Sequence, residues 1–131
     1  MTIKAHCTGL GVPAATASAI VGGVITTLAG AGTTHSDATL LTLASNHIIS
    51  TAANNSGVIL PPGNGSGDSM APGDYMTIYN GSANTLLLYP PLGGSLNGGT
   101  VTTGTVSIAT KTSVQAMSID GLLFTVAGPN T

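Results

Sequence analysis

Tyr75-Met76-Thr77-Ile78-Tyr79-Asn80-Gly81-Ser82-Ala83-Asn84-Thr85-Leu86-Leu87-Leu88-Tyr89-Pro90-Pro91 decides the fold class. Two runs rich in aromatic, β-branched and leucine residues, Tyr75–Tyr79 and Thr85–Tyr89, flank a short polar segment. Residues of these kinds suit a pleated, half-buried chain. Asn80-Gly81 can supply the positive φ angles of a tight turn, so the stretch predicts a β-hairpin. Pro90-Pro91 ends the second run, because proline lacks the amide that a ladder requires.

Downstream, the glycines from Gly93 to Gly99 turn the chain. Strands are then expected at Thr105–Ala109, Ser113–Ile119 and Leu122–Val126, the last two joined by an Asp120-Gly121 turn. Upstream, strands are expected at Thr16–Val21, Val24–Leu28, Thr39–Ala44, His47–Thr51 and Gly57–Leu60. Between them Gly30–Ser36 is a loop of small residues. Pro61–Gly73, bulky only at Met70, is too long for a simple turn, and loops of about a dozen residues are usually functional or mobile. The expected fold is all-β: a single antiparallel β-sandwich or barrel, jelly-roll-like, of about ten short strands. It occupies residues 16–131 and follows an extended N-terminal arm at 1–15. No internal repeat stands out.

The 131 residues carry only six charges, Lys4, Lys111, Asp37, Asp68, Asp74 and Asp120, with no Arg or Glu. That is 5%, where an ordinary soluble domain has about 25%. The surface is therefore made of Thr, Ser, Asn, Gly and apolar groups. It can press against another protein without stripping water from ions, the costly part of forming an interface. Apolar residues reach 42%, but there is one Phe, three Tyr and no Trp. So small a set of rings leaves part of the stability to association.

A net charge of −2 gives no grip on nucleic acid, which needs clustered Lys and Arg. Cys7 is the only cysteine, so no intrachain disulfide exists, and no acid or second His stands near Cys7 and His6 to activate the thiol. Ala14 to Gly32 approaches the length of a membrane span. Its glycines and threonines, and the lack of Lys or Arg beyond it, favour extended strands with glycine turns. Only Lys4 could serve a signal peptide. No membrane partner is expected.

The chemical inventory is thin. His35-Ser36-Asp37 has the residue types of a serine triad, but neighbours on one turn cannot converge as a triad must. A turn capped by Ser36 and Asp37 is the simpler reading. His35, Asp37 and His47 could meet around a metal only through folding, for their spacing matches no ligand motif. His47 is the best placed of the three His to meet its copies on a trimer axis. Asp74 and Asp120 are read as turn residues. Asn54-Asn55-Ser56, Asn64-Gly65-Ser66 and Asn80-Gly81-Ser82 match the glycosylation pattern, as an Asn- and Ser-rich chain does by chance. No catalytic residue, metal site or cofactor is expected, and the chain is not read as an enzyme.

Two stretches carry a family resemblance. One runs from Gly32-Thr33-Thr34-His35-Ser36-Asp37-Ala38-Thr39-Leu40-Leu41-Thr42 through Asn46 to Val58-Ile59-Leu60-Pro61. The other is Asn80 to Gly98, with Tyr89-Pro90-Pro91, Gly93-Gly94 and Leu96-Asn97 at its centre, and Asp120-Gly121 before Phe124 also fits. Together they resemble a small-protein family of tailed bacteriophages, the capsid decoration or cement proteins. The family often has Trp near Leu123-Phe124, and the Pro61–Gly73 loop is longer here. The resemblance implies a trimeric β-sandwich on the outer surface of the virion, bound to the major capsid protein. A tail or fibre component that adheres to host carbohydrate is the alternative, with Tyr75, Tyr79, Tyr89 and Phe124 as the rings available for stacking.

Overall fold

The computed structural model describes residues 25–42, 46–61 and 70–128. The arm at 1–15, the strand expected at Thr16–Val21 and the centre of the Pro61–Gly73 loop lie outside them. Ten strands are present among the described residues: β1 (Ile25–Ala29), β2 (Thr39–Leu40), β3 (Asn46–Thr51), β4 (Ser56–Ile59), β5 (Tyr75–Asn80), β6 (Leu86–Tyr89), β7 (Ser95–Leu96), β8 (Val106–Ile108), β9 (Ser113–Ser118) and β10 (Leu123–Ala127). The only helical element among them is a 3-10 turn at His35–Asp37. The protein is an all-β sandwich. Nine of these strands overlap expected ones; β7 lies inside the glycine-rich stretch that reads as a turn.

Strand direction departs from expectation. The larger sheet has the order β1-β3-β5-β9-β10-β7 and the smaller β2-β4-β6-β8. From β1 to β6 each strand lies in the other sheet from the one before, so the chain winds between layers. Strands on successive windings must then run the same way. β1, β3 and β5 pair in parallel, as do β2, β4 and β6. Both sheets are mixed rather than antiparallel, and the winding is that of a short solenoid. The chain reverses only after β6: β8 pairs antiparallel with β6, and β9 with β5.

The winding also removes the expected hairpin, since β5 and β6 belong to different sheets. A tight hairpin turn needs positive φ, and neither Asn80 nor Gly81 adopts it. Asn80 instead turns its side chain inward and holds an arch from one layer to the other. The Asn-Gly signal is realised at Asn97-Gly98, with φ of 51° and 74°. There Asn97 Oδ1 accepts from Val126 N at 2.8 Å and Nδ2 donates to Val126 O at 3.2 Å, so a side chain prolongs the pairing of β7 with β10. The Asp120-Gly121 turn forms as expected and joins antiparallel β9 and β10, with Gly121 at φ 92°.

The arches also reveal a repeat. Leu28 registers with Ile49 and Ile49 with Asn80, while Thr39 registers with Val58 and Val58 with Leu88. Three windings thus superpose, although the connections at 30–38, 52–55 and 81–85 differ in length.

The core lies between the sheets. In β5, Met76, Ile78 and Asn80 are buried and Tyr75 and Tyr79 exposed; in β9, Val114, Ala116 and Ser118 are buried and Ser113, Gln115 and Met117 exposed. Leu86 and Leu88 face them from the smaller sheet, and Phe124 fills the far side. Each buried Leu, Ile or Phe contributes roughly 1.5–3 kcal/mol. Pro61 and Met70, the described residues on either side of 62–69, are both buried.

Candidate functional site

Among the described residues, those with chemical potential do not converge. Asp37 Oδ1 accepts from Thr33 N at 3.1 Å, Thr34 N at 2.8 Å and the Thr34 hydroxyl at 2.9 Å. It closes the 3-10 turn, as a first-turn acid does. The His35 ring points elsewhere: its Nε2 donates to Pro90 O at 3.0 Å, and the ring stands nearly perpendicular to that of Tyr89, with centroids 5.7 Å apart. The triad-like trio is a folded turn. His47 is 1% exposed, and its Nε2 donates to Thr42 O at 3.0 Å. A side chain so buried cannot meet its copies on a trimer axis. It turns into the core, while His35 lies over the outer side of the smaller sheet. Among the described residues no three His, Cys, Asp or Glu gather as a metal site. No helix among them is long and apolar enough to cross a membrane, and Ile25–Ala29 of the apolar Ala14–Gly32 stretch forms β1.

What the fold does build is two outer faces of different character. The smaller sheet is partly covered by its own first arch. Ala31 and Gly57 exchange backbone hydrogen bonds at 3.1 and 2.9 Å, and the Tyr89 hydroxyl donates to Thr33 O at 3.4 Å. The Tyr89 ring packs against Gly57, where a Cβ would come within 2.6 Å of it, so only glycine fits there without a shift. Tyr89 is thereby buried; of the larger side chains on this face, Leu40 stays exposed.

The larger sheet presents an open face. Strand alternation and register place Ile48, Tyr79 and Ser113 in one row, Asn46, Thr77, Gln115 and Ala127 in the next, and Tyr75, Met117 and Thr125 in a third. Ile119 and Leu123 extend the last row at its corner, where Ile119 N donates to Leu123 O at 2.8 Å. Tyr75 is 61% exposed, and Tyr79, Met117 and Ile119 are exposed too. No Asp, Glu, Lys, Arg or His lies within these rows. Among the described residues, the charges nearest this face stand at the ends of its strands: Lys111 beyond Tyr79 and Ser113, Asp74 and Asp120 beyond Tyr75 and Met117. The Lys111 ammonium donates to Gly81 O beside Tyr79 and Ile48. Sequence reasoning noticed an ion-poor surface but not its concentration on one sheet, because tertiary winding assigns the faces. It also took Tyr75, Tyr79, Tyr89 and Phe124 as rings available for stacking, whereas Tyr89 and Phe124 are buried and only Tyr75 and Tyr79 stand exposed.

Asp37 and Asp120 are held below the ordinary carboxylate value of 3.8. For Asp37 the chief cause is the backbone N–H of Thr34, then its hydroxyl; for Asp120 it is the N–H of Leu123, then of Leu122. A carboxylate whose folded pKa is depressed stabilises the fold fully above its unfolded pKa. That contribution disappears as pH falls through the lower folded value. The melting temperature of the protein should therefore fall as pH drops through and below 3.8. Asp37→Asn and Asp120→Asn should flatten that acid limb; scans across pH 2–7 (roughly the carboxylate range) in which both variants follow the parent would contradict this.

No family model matches the chain, and no curated protein matches it. The class that the fold and its surfaces define is an all-β sandwich with one sheet face on which, among the described residues, no charged side chain lies.

Proposed function

We propose that the chain is a virion structural protein, a capsid decoration or cement protein of tailed bacteriophages. It forms homotrimers on the outer surface of the capsid and bridges neighbouring copies of the major capsid protein. The supporting observation is the outer face of the larger sheet, where apolar and hydroxyl or amide groups lie together with ions only at the margins. Such a face desolvates cheaply, and contact through it weakens little with salt. The mechanism is mechanical: parting two bridged capsid subunits would expose the area buried at each contact, and repetition over the shell multiplies the effect. On this reading the protein catalyses nothing and needs no cofactor.

Tyr75 and Tyr79 favour a second reading. Both rings stand exposed on the same face of β5, with Thr77 between them, an arrangement suited to stacking on sugar. A tail or fibre component that binds host carbohydrate would use them so. Copy number separates the two. Quantitative mass spectrometry of purified virions should find the protein at the scale of the capsid subunits, and particles lacking it should burst at lower temperature. A few copies per particle, together with glycan-array binding lost in Tyr75→Ala, would replace the first reading by the second.

A further inference from the structure

We infer that the outer face of the larger sheet is the contact between copies within the trimer, closed head to tail about an axis that crosses the strands. The inference rests on the trimeric reading above and names the surface that makes it. Tyr75, Met117 and Ile119 form an apolar cluster at one end of the face, and Tyr79 with Ile48 forms another at the other end. The polar band of Asn46, Thr77 and Gln115 lies between them.

Charge sets the arrangement. β5 and β9 run antiparallel with Tyr75 opposite Met117 and Tyr79 opposite Ser113, so Asp74 and Asp120 share one end and Lys111 marks the other. Around an axis parallel to the strands, like ends would meet and each Lys111 would face another. Around an axis crossing the strands, the Lys111 end of one copy meets the Asp74 and Asp120 end of the next. Charges at the rim of an interface select orientation more than they add affinity. Such a contact joins two different patches, and a heterologous contact closes into a ring when its rotation permits. Three copies would then set the apolar end clusters against one another and turn the amide and hydroxyl band toward the axis.

β3, β5 and β9, six residues each, run about 20 Å and lie about 4.8 Å apart. A face divided between two neighbours therefore gives each contact well under the ~800 Å² per partner of a standard interface. The assembly rests on all three contacts closing together.

Light scattering on the purified full chain should give about three times 12.7 kDa, and Tyr75→Asp with Met117→Asp should lower it to 12.7 kDa with an unchanged circular dichroism spectrum. Both positions are exposed, so the fold should tolerate the change, and Leu40→Asp on the other sheet should leave the trimer whole. Orientation is read by cross-linking in a Cys7→Ser background. Lys111→Cys combined with Asp120→Cys should link subunits into covalent trimers on mild oxidation, while either cysteine alone should link nothing. The two positions lie at opposite ends of β9, about 20 Å or more apart, too far to bridge within one chain. A double aspartate variant that keeps the parent mass overturns the face, and single-cysteine dimers overturn the head-to-tail order; both leave the trimer reading standing. A parent chain of 12.7 kDa overturns that reading and the inference with it.

Discussion

Asn80→Ala is expected to lower the unfolding free energy by roughly 3–5 kcal/mol, read as a lower urea midpoint at unchanged slope. Asn80 is fully buried at the end of β5. Its Nδ2 donates to Asn84 O at 2.7 Å and Ile108 O at 2.9 Å, and its Oδ1 accepts from Ser82 N at 3.1 Å and the Ser82 hydroxyl at 2.7 Å. Alanine would take a partner from Ile108 O and from the Ser82 N–H in a buried place, while Asn84 O keeps the Ser82 hydroxyl. Each such loss costs about 1–3 kcal/mol. The effect spreads beyond the arch, since Ile108 belongs to β8 and the bond ties the smaller sheet to the larger. Asn80→Asp keeps the acceptor for Ser82 but turns a second acceptor toward two carbonyls and buries a charge. Its deficit should grow as pH rises and the new carboxyl ionises, because burial raises its folded pKa and the protonated form can still donate one bond. Asn84→Ala, which removes an exposed bond to Ala52 O, should cost under about 1 kcal/mol. Equal losses in Asn80→Ala and Asn84→Ala would show that the network is not what holds the arch.

Asn80 also shows where sequence reading stops. An Asn-Gly pair between two strand-like runs is a local signal for a hairpin, and at Asn97-Gly98 the same pair does adopt the positive φ that the signal implies. At Asn80 the decisive partner is Ile108, 28 residues away, and nothing in the surrounding sequence announces it. Alternation located β5, β9 and β10 well, because each has one buried and one exposed face. It could not say which sheet a strand joins, so the change from antiparallel pairing to a wound, mixed arrangement was invisible. The repeat was hidden for a related reason. Leu28, Ile49 and Asn80 occupy one column of the larger sheet, but the third is polar and the connections between windings differ in length. Scarcity of charge was legible directly. Its consequence, a single open face with ions only at the strand ends, needed the register that places Asp74 and Asp120 opposite Lys111.

Phe124→Ala is expected to have a comparable effect through packing alone, about 3–5 kcal/mol. Phe124 is the only phenylalanine and is fully buried in β10, registered with Ser118 of β9 on one side and Leu96 of β7 on the other. The rest of the hydrophobic cluster is Leu, Ile, Val, Met and Ala, so it offers no second benzene ring to fill the space, and the ladder that holds β7 registers only two of its residues with β10. Against a total of roughly 5–15 kcal/mol for a typical domain, the loss should bring an isolated subunit close to unfolding. Assembly changes how that loss is read. If copies associate through the opposite, outer side of the same sheet, binding stabilises the folded state by mass action and the melting temperature rises with protein concentration. Phe124→Ala should then melt far below the parent when dilute and recover part of the difference when concentrated. Adding Tyr75→Asp and Met117→Asp should remove the recovery while leaving the dilute value nearly unchanged. Melting of Phe124→Ala that is independent of concentration would separate the core from assembly and place the source of the chain's stability wholly within one subunit.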